Sequence, residues 1–118
     1  MSDITKLGIP TRFVEHGTQL PHGPDDRIKL EQLVAGVPPA GLEVGRVTYE
    51  PGADTGHGSH PGQEFLVLIE GTLEVSVADE RYHLEAGNAI HFDATRPHRG
   101  CNTGQATSIA IYVLLREV

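Results

Sequence analysis

The sequence predicts an all-β fold, a small antiparallel β-barrel or sandwich, and three observations lead there. Short apolar segments recur at intervals of roughly ten residues with Gly-containing turns between them, and helical periodicity is absent. One segment alternates strictly, with Leu73, Val75 and Val77 on one face and Thr72, Glu74 and Ser76 on the other. The last strand-like stretch, Thr107 to Arg116, is apolar on both faces, as expected of a strand covered on two sides.

Residues 1–26 precede the first strand-like segment. Pro10, Pro21 and Pro24 break any regular element there, so an N-terminal arm is expected. Residues 27–118 are expected to form one barrel domain, with strands at Ile28 to Val34, Val44 to Glu50, Phe65 to Ile69, Thr72 to Val77, Arg81 to Leu84, Ala89 to Phe92, His98 to Asn102 and Thr107 to Arg116. Glu70-Gly71 sits between the apolar run ending at Ile69 and the alternating segment, and the pair reads as a hairpin.

The chain has 118 residues, the size of one ordinary domain, and folds without needing a disulfide or a structural metal. Acidic residues outnumber basic ones 16 to 9, for a formal net charge of -7, and the basic residues are scattered. That balance repels phosphate backbones and anionic membrane surfaces, so direct binding to nucleic acid or membrane is not expected. Cys101 is the only cysteine, which excludes an intrachain disulfide and a multi-cysteine zinc motif. The N-terminal residues lack a secretory pattern and no apolar stretch approaches about 20 residues, so a cytoplasmic location is expected.

Of the seven histidines, His57, His60 and His98 are placed to converge, joined by the carboxylate of Glu64. Imidazole nitrogens with one carboxylate oxygen suit Fe, Mn, Ni, Cu or Zn as divalent ions, whereas Ca and Mg prefer oxygen-rich shells. Pro61-Gly62 interrupts the chain between His60 and Glu64, and a turn there brings both side chains toward one cavity. His16 and His22 lie in the arm; His83 and His91 alternate with apolar neighbours and are expected to face outward.

The stretch Gly52-Ala53-Asp54-Thr55-Gly56-His57-Gly58-Ser59-His60-Pro61-Gly62-Gln63-Glu64, with Gly71 after it, resembles the first motif of the cupin superfamily. The stretch from Gly87 to Asn102, with Pro97-His98 and Asn102 inside it, resembles the second. The resemblance implies a jelly-roll barrel, metal ligation by His60, Glu64 and His98, and turn positions for Gly71 and Gly87. It also implies a homodimer. The family usually carries His-X-His, and the first of that pair falls on Gly58 here. His57 stands one position early and becomes a fourth ligand only if a bulge at Gly56 or Gly58 turns it inward. Asn88, Asp93 and Thr95 depart from the usual second motif without removing a ligand.

Parity puts Leu66 and Leu68 on the face of Glu64, and Ile90 and Phe92 on the barrel wall. A largely apolar pocket for a small organic ligand is expected, with Arg46, Thr48, Tyr49 and Tyr112 as sources of hydrogen bonds. The function that follows is a metal-dependent small-molecule enzyme of dioxygenase, isomerase or lyase type. The alternative is a non-catalytic ligand-sensing module. Such modules occur beside helix-turn-helix units, and the residues before Ile28 are too few and too rich in Pro and Gly to make one, so this alternative requires a separate partner.

Overall fold

A computed structural model of the chain describes residues 11–21, 25–37 and 41–116. Nine strands are described: β1 (Thr18–Leu20), β2 (Ile28–Val37), β3 (Leu42–Tyr49), β4 (Gln63–Glu70), β5 (Thr72–Val77), β6 (Glu80–Glu85), β7 (Ala89–Asp93), β8 (His98–Cys101) and β9 (Ser108–Leu115). All pairings are antiparallel, in a six-stranded sheet of order β1-β2-β3-β9-β4-β7 and a three-stranded sheet of order β6-β5-β8. The all-β expectation holds. Among the described residues there is no helix, and so none long and apolar enough to cross a membrane.

The two sheets close on one apolar core. Every second residue of β9 is buried, namely Ser108, Ala110, Tyr112 and Leu114. Ala110, Tyr112 and Leu114 join Val47 and Tyr49 from β3, Leu66 and Leu68 from β4, and Leu73, Val75 and Val77 from β5 in that core. Leu68 and Leu73 are almost wholly enclosed, each contributing roughly 1.5–3 kcal/mol by burial.

Two local expectations need correction. The expected hairpin across Gly71 does not form, because β4 bonds to β7 and β9 while β5 bonds to β6 and β8. Gly71 instead turns a corner from one sheet into the other. Its φ of 82° is in the left-handed region, and a side chain there would press on the Ser108 and Thr107 backbone. The Ser108 hydroxyl ties the corner, accepting from the Thr72 amide at 3.1 Å and donating to the Thr72 carbonyl at 2.6 Å. The second correction concerns the arm, in which residues 18–20 form β1 along the edge of β2. His22 falls outside the described residues.

Gly62 fixes the approach to the site. Its φ is 97°, and a Cβ there would overlap the Leu115 carbonyl and lie 2.6 Å from the Arg116 Cα. Glycine therefore lets the 59–62 turn lie against the end of β9 and deliver Glu64 into β4.

Candidate metal centre

Glu64 reaches the interior by register. It pairs with Phe92 of β7 and Leu114 of β9, both inward-facing, and shares its face with Leu66 and Leu68. His98 pairs with the core residue Val77, so it also points inward, whereas Cys101 pairs with Glu74 on the outer face. His60 precedes β4 and is held by its amide, which donates to the Ala94 carbonyl at 2.9 Å.

His60, Glu64 and His98 consequently converge, with one ligand atom from each lying within 4.8 Å of the others. Glu64 Oε1 is 3.2 Å from His60 Nε2 and 3.7 Å from His98 Nε2, and the two rings meet edge to face at 5.0 Å. Both Nδ1 atoms face backbone carbonyls: that of His98 donates to Arg96 at 2.9 Å and that of His60 lies 3.3 Å from Pro61. A carbonyl only accepts, so the short His98 contact puts a proton on that ring's Nδ1 and turns its Nε2 to the carboxylate, while His60 Nε2 lies within hydrogen-bond distance of Glu64. Two imidazole nitrogens and a carboxylate oxygen gathered this closely offer three ligand atoms to one shared cation. The donor set thus fits a divalent transition ion. Burial pushes the Glu64 carboxyl up from its ordinary value, against the pull of His98 and His60.

His57 does not join the three. It is exposed and outside the cavity wall, because the chain bridges at Gly58: the Gly58 amide donates to His98 at 3.0 Å and the His98 amide donates back at 2.9 Å. Residues paired in this way share a face, so the glycine and not His57 looks inward. His16, His83 and His91 are all exposed. His83 contacts Glu74 at 2.6 Å, and His91 contacts Gln63 at 2.7 Å.

Beside the triad lies a cavity of about 340 Å³, whose wall includes Leu66, Leu73, Val75, Phe92 and Leu114. Tyr49 and Tyr112 line it, as expected of them. Arg46 and Thr48 do not; they alternate to the outer face, where Arg46 pairs with Glu31 at 2.5 Å. The Tyr112 hydroxyl donates to Glu43 at 2.5 Å, and Arg116 approaches the other Glu43 oxygen at 3.6 Å. Burial, then the bond to Glu43, pushes the Tyr112 phenol up, and burial with the nearby Glu64 charge does the same for Tyr49. Glu43, Arg116 and the Asp54–Arg99 ion pair escaped the sequence reading. Only the alternation of β3, which puts Glu43 in step with Val47 and Tyr49, could have pointed to the first of them.

Asn102 secures the loop that leads into the site. It is fully buried, with Nδ2 donating to the Tyr49 and Ala106 carbonyls at 2.9 Å each and Oδ1 accepting from the Gly104 amide at 3.0 Å. Its backbone also bonds to Gly52 and Ala53.

Comparison with known proteins gives a consistent family. Residues 45–114 match the family model described as a cupin domain. The HTH-type transcriptional regulator PuuR of Escherichia coli is 35% identical over 57 residues, which cover 48% of this chain and 31% of the regulator. The match therefore spans about a third of the curated relative's length. The cupin domain of an XRE family transcriptional regulator from Enterobacter cloacae superposes with a TM-score of 0.72 at 18% identity, covering 79% of this chain and all of that one. A predicted oxalate decarboxylase from Thermotoga maritima superposes with a TM-score of 0.75 at 18% identity, covering 90% of this chain and all of that one.

Proposed function

The chain belongs to the cupin family, and from that premise we propose that it binds a divalent transition metal through His60, Glu64 and His98 and acts on a small organic molecule in the adjoining cavity. The observation that carries this is the convergence of two imidazole Nε2 atoms and a half-buried carboxylate on one point of the cavity wall. When bound, such a metal supplies a Lewis acid for a substrate oxygen, an acidified water or, as Fe(II), a site for dioxygen. Isomerase, lyase and dioxygenase chemistry all draw on these properties. The chain's own contribution is to hold two imidazoles and a carboxylate together, with each ring's Nδ1 against a backbone carbonyl, and to surround the ligand with apolar wall. His57 stands outside this set.

A second reading is a ligand-sensing module that works with a separate partner and has no turnover. Its support is the likeness to part of the regulator PuuR and to the cupin domain of the Enterobacter regulator. A homodimer in the cytoplasm is compatible with either reading. The test is metal analysis of freshly purified protein combined with a screen of small organic substrates. Turnover that requires metal and disappears in His98→Ala supports the enzyme; tight ligand binding without turnover supports the sensor.

A further inference from the structure

We propose that the cavity receives a small monocarboxylate with an apolar body, and that the Tyr49 hydroxyl donates a hydrogen bond to the ligand's carboxylate. This deepens the metal-centre reading and rests on it.

Tyr49 is 4% exposed and its ring lines the cavity beside the triad. Its backbone carbonyl accepts from Asn102, but among the described residues its hydroxyl has no hydrogen-bond partner. Gly100 of β8 faces that hydroxyl and sets no side chain over it; a Cβ there would lie 3.6 Å from it. A buried phenol without an acceptor has lost the hydrogen bonds that water gives it, and an acceptor arriving with a ligand restores them. The other cavity phenol is not available in this way, because Tyr112 already donates to Glu43.

The charges of the wall select the acceptor. Arg99 is ion-paired with Asp54, and Arg116 faces Glu43, so each arginine lining the cavity is matched by a carboxylate. Glu64 and a divalent ion leave one residual positive charge at the triad. One anionic group is therefore balanced, while a second would lie against apolar wall with no cation to meet it. A primary amine would face the metal's charge without a free carboxylate. Leu30, Val47, Leu66, Leu73, Val75 and Phe92 suit an apolar remainder. Gly58 keeps the approach open, since a Cβ there meets nothing within 4 Å.

The test uses the full chain, titrated calorimetrically first with Zn(II) and then, Zn-loaded, with benzoate, butyrate, succinate and n-butylamine, in wild type and Tyr49→Phe. Zn(II) is expected to bind both proteins alike, and benzoate or butyrate to bind wild type about tenfold more tightly than Tyr49→Phe, the worth of one hydrogen bond to a charged acceptor. Succinate and n-butylamine are expected to bind more weakly than either monocarboxylate. Tyr49→Phe is expected to melt no lower than wild type, because the hydroxyl it removes has no partner in the protein. Monocarboxylate binding that is absent or indifferent to Tyr49→Phe overturns the proposal, as does tighter binding of succinate or the amine, or a lowered melting temperature. Failure of wild type to take up Zn(II) at all is seen before any organic probe is added, and it overturns the metal-centre reading itself.

Discussion

Gly58 and His98 face each other across a pair of reciprocal backbone hydrogen bonds, 3.0 and 2.9 Å long, so the glycine occupies the inward position opposite a candidate ligand. A Cβ built on Gly58 meets no atom within 4 Å. Gly58→His is therefore expected to fold normally and to add a third imidazole, as fourth ligand, to the set, raising Zn(II) affinity by about tenfold or more. His57→Ala, at an exposed position, is expected to leave affinity unchanged. Competition titration against a chelator measures both.

Asn102→Ala removes three hydrogen bonds at a fully buried position and strands the Tyr49 and Ala106 carbonyls and the Gly104 amide. A loss of about 2–4 kcal/mol is expected. Urea unfolding followed by circular dichroism reads it directly.

Gly62→Ala introduces a Cβ into the end of β9 at a residue whose φ is 97°. Destabilisation of about 1–3 kcal/mol is expected, and because the same turn carries His60 and leads into Glu64, Zn(II) affinity is expected to fall as well. The converse pattern, lost stability with unchanged affinity, would separate the turn from the site.

Strand existence was largely legible, since the alternation of Leu73, Val75 and Val77 and the apolar run of β9 follow from burial on one or two faces. The corner at Gly71 was not, because strand-Gly-strand looks the same whether the chain folds back beside itself or crosses to the other sheet. That choice is made by long-range contacts, among them the Ser108 hydroxyl on Thr72. β1 has three residues, too few for alternation to register. Of the site, His60, Glu64 and His98 could be read from motif and spacing. The Tyr112–Glu43 contact joins residues 69 apart in sequence and depends on the β3–β9 register, which no local pattern encodes.

The Asp54–Arg99 pair gives a pH dependence. The Arg99 guanidinium above all, with the Gly56 amide, outweighs partial burial and holds the Asp54 carboxyl down at about 2. A folded value below the unfolded one means that the native state favours the ionised form. The contribution is therefore complete above about pH 4–5 and lost as pH falls through 2. The pair is about one-third exposed, which limits it to roughly 0.5–1 kcal/mol. Asp54→Asn is expected to be less stable than wild type at neutral pH, with the gap closing toward pH 2 in urea titrations.

The most direct test is the stoichiometry of divalent transition-metal binding in wild type, His98→Ala and Glu64→Gln, each checked for an intact β-sheet spectrum. One ion per wild-type chain, lost or strongly weakened in both variants, is the expected result. A folded wild-type chain that binds no such ion, or variants that bind it as well as wild type does, would contradict a metal centre at these residues.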